Sequence, residues 1–318
     1  MSRKNSPPSP PPGVLSIGRA EITQAATRIA PHVRKTPVIN LGINGFTVAL
    51  KLEQLQVGGT FKARGAFNRC LSSGATQMVA ASGGNHGIAV AYAAKTLGLK
   101  AHIFVPTSTP AAKVQKLQEL GAQVHQIGSQ YSEALTASMS FAEEHSVPIS
   151  HAYDQYETLC GQGTLAREWH EQSPKLDTVL VAVGGGGLIG GMAAWYRGDV
   201  KIVAVETETC ATLHRALEAG EPVDIEVSGY AADALGAKRI GSLMFPLAQQ
   251  FIARSILVSD AAVRAAQLQA WRDARIAAEP AGAAAWAALA CGAYVPEPGE
   301  RVGVLVCGAN MDPAQLLE

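Results

Sequence analysis

Hydrophobic and polar positions along this chain switch repeatedly between two periods. Residues 17–30 place apolar side chains at helical spacing until Pro31 interrupts them. Short apolar runs, rich in β-branched residues, predict strands at 47–52, 78–81, 101–105, 123–127, 178–183, 202–206, 256–259 and 302–306. Helices are predicted between them: alanine-rich 88–97, then 109–120 closed by Gly121, a segment after Leu188, one after the 202–206 strand, and one opening at Asp260. Strand followed by helix, again and again, implies an α/β fold with parallel, doubly wound sheet flanked by helices. Ligands of such sheets lie off the C-terminal ends of the strands. The turns after residues 57, 82 and 183, and the Cys307-Gly308 turn, all fall at such ends. They are therefore expected to converge on one cleft.

The chain has 318 residues, enough for one large domain or two lobes. Lysine plus arginine equals aspartate plus glutamate at 26 each, so no strong field is offered to nucleic acid or to an anionic membrane. No uninterrupted apolar run reaches the roughly 18 residues of a membrane span. The cysteines (Cys70, Cys160, Cys210, Cys291, Cys307) are scattered and form no CxxC pair. Free thiols in a reducing cytoplasm are expected, without disulfide or zinc. Residues 1–15 are polar and proline-rich, lack the apolar stretch of a signal peptide, and read as a disordered arm.

The most telling local feature is T-V-L-V-A-V-G-G-G-G-L-I-G-G, residues 178–191. Gly184, Gly185, Gly186 and Gly187, followed by Leu188, join a buried strand to a helix. Bare backbone N–H groups at a helix N-terminus make a phosphate cradle. Close packing without a ligand is the plainer alternative. Gly185, Gly187 and Gly190 also satisfy G-x-G-x-x-G, with Glu206 at the end of the next strand where a ribose-binding acid belongs. That points to a nicotinamide oxidoreductase. It leaves two other motifs, at 58–64 and 82–87, without a role.

Six segments taken together carry a resemblance: G-G-T-F-K-A-R-G-A (58–66), S-G-G-N-H-G (82–87), G-Q-G-T-L-A-R-E (161–168), G-G-G-G-L (184–188), E-P-A-G-A (279–283) and C-G-A-N (307–310). In this order they resemble the pyridoxal-phosphate serine/threonine dehydratases and serine racemases, which share the tryptophan-synthase-β fold (fold type II). The resemblance covers roughly 16–318. It implies two lobes: 16–76 plus 154–318 as a large cofactor-binding domain, and 77–153 as a small substrate-loop domain. The implied cofactor is pyridoxal 5'-phosphate. Lys62 matches the Schiff-base lysine, and its apolar neighbours would lower its pKa and free the amine to take the substrate's α-proton. Phe61 would lie beside the cofactor. Ser82, Gly83, Gly84, Asn85 and His86 form the loop expected to receive the substrate carboxylate, with Asn85 also reaching the cofactor's ring hydroxyl. A plain helix cap and a hydrogen-bonded core histidine are the structural alternatives for Asn85 and His86. Cys307 matches the neutral group facing the pyridine nitrogen, and Asn310 steadies that turn.

Departures from the family sharpen the expected activity. Serine racemases carry a second serine where this chain has Gly83. Without that proton donor, dehydration of a small β-hydroxy amino acid to a 2-oxo acid and ammonia is favoured over racemisation. Gly83 is also expected to leave room for a bulkier β-substituent. The family's metal site starts at a glutamate matching Glu206, but its second carboxylate falls at Thr212, so a divalent or monovalent cation is doubtful. The chain stops just after C-G-A-N, so end-product feedback is not expected. A homodimer or higher homo-oligomer is expected. The readings kept open are an amino-acid racemase of the same fold, the nicotinamide enzyme, and a catalytically silent cofactor-binding protein.

Overall fold

The first strands form a hairpin that the sequence pattern only half reveals. The computed structural model describes residues 17–317, so the proline-rich arm at 1–15 lies outside the described residues. Helix α1 (Arg19–Ile29) leads to β1 (Val38–Ile43) and β2 (Phe46–Leu52), which pair antiparallel. Asn44 and Gly45 turn between them, both at positive φ. Asn-Gly suits such a turn because both residues tolerate the left-handed region. Strand β1 is a half-exposed edge, which is why its residues make no clean apolar run.

Helix α2 (Lys62–Ser73) follows, then β3 (Gln77–Ala81), α3 (Asn85–Leu97), β4 (Lys100–Val105), α4 (Ala111–Glu119), β5 (Gln123–Gln126) and α5 (Tyr131–Glu144). Here β3, β4 and β5 make a parallel three-stranded sheet. The chain returns through α6 (Tyr156–Gln172), β6 (Thr178–Ala182), α7 (Gly187–Tyr196) and β7 (Lys201–Thr207). After α8 (Thr212–Ala219), α9 (Ala232–Leu235) and α10 (Phe245–Phe251) come β8 (Ile252–Val258), α11 (Asp260–Ala274), α12 (Pro280–Ala290) and β9 (Val302–Val306). These complete a six-stranded sheet in the order β1-β2-β9-β6-β7-β8, parallel except for the hairpin. The expected α/β fold is present, with an antiparallel edge strand added to it. Strands β6 and β9 are buried along their whole length, the position that demands continuous apolar runs.

A buried ionic network fixes the start of α2. Arg64 holds Glu53 through two bonds, at 2.5 and 3.0 Å, and Glu168 at 3.0 Å. Lys51 pairs with Glu168 and donates to the Thr36 carbonyl at 2.8 Å. All four charged groups lie inside the protein, and they balance in sign. Such pairing offsets the large cost of desolvating each ion. Through this network α2 is fastened to β2, to α6 and to the segment after α1, and Lys62 is held two residues from Arg64.

Beside the smaller sheet, His102 contacts His125 at 3.3 Å and Gln77 at 2.9 Å, among Phe104, Phe141 and His145. Burial lowers the pKa of both His102 and His125, and the neighbouring histidines lower that of His102 further. A histidine whose folded pKa is depressed resists protonation that the unfolded chain accepts. Its stability contribution is therefore full above the ordinary value of 6.5 and is lost as pH falls below it. The thermal midpoint should fall on acidification below that pH, and His102→Gln should flatten the fall. A midpoint independent of pH across that range would dismiss the effect.

Candidate active site

The end of β9 is stitched to the start of α2. Thr60 bridges Gly308, and the Phe61 N–H donates to the Cys307 carbonyl at 3.0 Å. Lys62, the first residue of α2, thus faces the end of the large sheet. Its Nζ donates to the Ala152 carbonyl at 3.2 Å and lies 5.1 Å from the centre of the Phe61 ring. Burial lowers its pKa to about 8, against the opposing pull of Cys307 and Glu279. An amine so placed deprotonates far more readily than a surface lysine.

Between β3 and α3, residues 82–84 form the turn, and Asn85 and His86 begin the helix. The Ser82 hydroxyl accepts from the Gly84 N–H at 3.3 Å. Asn85 opens α3 and donates to Glu279 Oε1 at 2.6 Å, while its own Oδ1 accepts from Asn310 Nδ2 at 2.7 Å. Asn310 Nδ2 also donates to the Gly58 carbonyl at 2.8 Å, and Lys116 reaches Asn310 Oδ1 at 2.9 Å. This chain of contacts fixes the orientation of both amides. Burial raises Glu279 to about 7, while the bonds from Asn85 and from the Asn310 backbone favour its charged form. His86 is buried, with Nε2 2.8 Å from the Ser150 carbonyl. Burial first, and then the charge of Lys62, depress it to about 3, so its ring stays neutral and donates to that carbonyl. The hydrogen-bonded core histidine describes this side chain.

The glycine loop meets Lys62 from the other side through residues 152–154. The Tyr153 ring lies over Gly185, where a Cβ would enter the ring itself. Gly186 has φ 87 and caps α7, and a Cβ there would stand 2.8 Å from the Met244 side chain. Close packing therefore demands glycine at both positions. Even so, the N–H groups of Gly185, Gly186, Gly187 and Leu188 have no protein acceptor among the described residues. Packing constrains this loop, and its unbonded amides at a helix N-terminus suit an anion.

Residues 29–308 match the family described as pyridoxal-phosphate dependent enzymes. The chain belongs to that family. It is 36% identical over 298 residues to phenylserine dehydratase of Ralstonia pickettii, covering 90% of this chain and 91% of that protein. It is 35% identical over 305 residues to the biosynthetic L-threonine dehydratase of Haemophilus influenzae, covering 92% of this chain but 59% of that one. Among solved structures, maize serine racemase superposes with a TM-score of 0.90 at 30% identity, covering 95% of this chain and 96% of that chain.

As a member of this family the protein uses pyridoxal 5'-phosphate, and its residues fit that group. Unbonded amides stand at the N-terminus of α7, a desolvated amine opens α2, and a neutral thiol follows the end of β9. The Cys307 Sγ is buried, 3.5 Å from the Ala281 carbonyl. Burial, and then the Glu279 carboxylate, push its pKa well up, so it remains a neutral thiol. The nicotinamide reading loses its acidic residue as well as its family. Glu206 is fully buried and accepts from Leu213 N at 2.7 Å and His214 N at 2.8 Å at the start of α8. Thr212, beside it, donates its hydroxyl to the Ala237 carbonyl at 2.6 Å. Among the described residues no cluster of carboxylate, histidine and cysteine side chains has metal-binding geometry.

Gly83 packs against the turn that follows β4. A Cβ there would stand 3.1 Å from Thr109 Cγ2 and 3.5 Å from Val105 Cγ1. Two contributors were given no role in the sequence reading. Glu279, which opens the E-P-A-G-A motif at the head of α12, makes no cap bond and turns to Asn85. Tyr153 carries no motif at all, and the only sign of it is the glycine run that makes room for its ring.

Gly185→Ala should force that ring aside. Overpacking of this kind costs about 1–3 kcal/mol. A lower thermal midpoint and weaker binding of pyridoxal 5'-phosphate are expected, read by melting and by cofactor titration. Unchanged affinity would separate the loop from the phosphate.

Proposed function

We propose that this chain removes water from a β-hydroxy amino acid and releases a 2-oxo acid and ammonia. The carrying observation is the pairing of a desolvated Lys62 amine with the neutral thiol of Cys307. When bound, pyridoxal 5'-phosphate supplies a ring that withdraws electrons and so acidifies the substrate's Cα proton. Lys62 anchors the cofactor's aldehyde and then takes that proton on Nζ. Gly184 to Leu188 would hold the phosphate, and Phe61 would lie beside the ring. Asn85, its amide steadied by Asn310 and Glu279, would hold the ring hydroxyl. Backbone N–H groups of residues 82–86 receive the substrate carboxylate at the head of α3. Cys307 would face the pyridine nitrogen with a neutral thiol and no charge, which would leave the ring a weaker electron sink and favour prompt loss of the β-hydroxyl. Gly83 brings no side chain that could return a proton to the opposite face, so elimination outpaces racemisation.

Phenylserine and threonine dehydratases among the relatives support this substrate class. The three-stranded sheet lies wholly within 77–153, which supports treating that span as a substrate-loop domain against 16–76 plus 154–318. The cysteines are unbridged, as a cytoplasmic home would require, and no described helix is long and apolar enough to cross a membrane. A homo-oligomer belongs to the same reading.

The test is turnover of purified holoenzyme on serine, threonine, hydroxyaspartate and phenylserine. At least one should give 2-oxo acid at a rate proportional to enzyme. No release from any of them sinks the proposal.

A further inference from the structure

Thr109 occupies the place that the substrate loop leaves empty. The line along which a side chain at 83 would grow ends on its methyl, Cγ2, at 3.1 Å, with its hydroxyl, Oγ1, at 3.8 Å. Val105, at 3.5 Å, is the end of β4 and is buried. Thr109 closes the turn that follows this strand, its N–H bonded to the Pro106 carbonyl at 3.0 Å. The turn is held from behind. Thr107 donates to the Gly128 carbonyl through both N–H, at 2.8 Å, and Oγ1, at 2.7 Å. Ser108 Oγ donates to the Ser129 carbonyl at 3.3 Å. It is held from the front as well, because α4 begins directly after it and reaches across to the larger sheet's side. Lys113 pairs with Asp233 at 2.6 Å, and Lys116 donates to Asn310, the residue that orients Asn85. Thr109 is only partly buried, and its methyl lies on the side of the substrate loop where residue 83 would carry a side chain.

We propose that Thr109 is a specificity-determining residue: its methyl, held against Gly83, sets how large a β-substituent the substrate loop accepts. This rests on the dehydratase reading and names the side chain that limits its substrate range. The physical case is steric. A Cβ contact at 3.1 Å is tighter than ordinary van der Waals contact, so a side chain at 83 would require the Thr109 methyl to give way by a few tenths of an ångström. The turn's bonds to Gly128 and Ser129 oppose that movement. With glycine at 83, the methyl of Thr109 is the atom nearest to where a side chain at that position would begin. Removing it opens about one methyl group of room, and a group of that size is worth roughly 10- to 200-fold in discrimination between substrates.

The experiment is a double-mutant cycle of Gly83→Ser and Thr109→Ser in the holoenzyme, with kcat/KM measured on serine and on phenylserine. Thr109→Ser is the decisive change because it keeps the hydroxyl and removes only Cγ2. Alone, it should raise the phenylserine-to-serine ratio of kcat/KM by roughly tenfold or more. Gly83→Ser alone should lower kcat/KM on both substrates. The double variant should recover most of that loss, which is coupling between neighbours rather than addition. Melting and cofactor absorbance on each variant identify any that has merely failed to fold, and Thr109→Val then serves in its place. Valine keeps the Cγ2 methyl and should leave the substrate ratio near wild type, whereas a ratio moved as far as in Thr109→Ser overturns the proposal. An unchanged ratio in Thr109→Ser, or strictly additive effects in the cycle, also overturns it. Failure of the wild type on every substrate would instead count against the dehydratase reading, so the two failures are distinct.

Discussion

Lys62→Ala is expected to leave a folded protein with almost no turnover. In the proposed mechanism two functions reside on one nitrogen: the anchor for the cofactor's aldehyde and the base at Cα. Loss of a positioned general base alone removes about 10²- to 10⁴-fold, and loss of the anchor adds to it. A fall of about 10⁴-fold or more in kcat/KM is therefore expected. Borohydride should fix the cofactor covalently to wild type and not to the variant. Stability should move the other way. The Lys62 ammonium is desolvated and its Nζ has one carbonyl partner, Ala152, so removing it relieves a burial cost rather than breaking a network. A thermal midpoint equal to or above wild type, with turnover gone, is the signature of a residue kept for chemistry. Near-normal turnover would remove Lys62 from the mechanism.

The second large effect separates two substitutions at one position. Cys307→Ser should keep kcat/KM within about tenfold, because it preserves a small neutral donor. Cys307→Asp should lose activity and stability together. The thiol is fully enclosed, and the Glu279 carboxylate already opposes negative charge there. A second carboxylate would add like-charge repulsion to its own desolvation, a penalty on the order of 3 kcal/mol or more. It would also favour a protonated ring and a longer-lived carbanion, which diverts the reaction from elimination. Equal activity of the two variants would show that residue 307 does not face the ring.

The sequence carried the frame of this site further than its walls. Residues 178–183 and 302–306 read as strands because both are central and buried on both faces, which forces continuous apolar runs. The edge strand β1 escaped because one side of it meets solvent. Helix α12 shows no helical period for the opposite reason. It is buried on every side, so no polar stripe exists to mark it. Lys62, Asn85, Cys307 and Asn310 were legible because each sits in a short motif at a strand or helix end, and the fold brings those ends together. Glu279 lay in the E-P-A-G-A motif, but only the fold brings its carboxylate to Asn85. Tyr153 and Thr109 lay outside every motif. Their placement depends on the course of whole segments, and only the clash that a Cβ would make at Gly185 or at Gly83 reveals them. Glu206 misled in the other direction. Its spacing from the glycine loop fits a ribose-binding acid, whereas its carboxylate satisfies the first amides of α8.

The central claim is that these residues eliminate water rather than invert Cα or transfer hydride. Product analysis on the best β-hydroxy substrate tests it most directly, with no nicotinamide added. The account predicts 2-oxo acid and ammonia in equal amounts, and only a trace of the opposite enantiomer in the residual substrate by chiral chromatography. Substrate that interconverts enantiomers as fast as it releases ammonia, or that reacts only when nicotinamide is supplied, would contradict it.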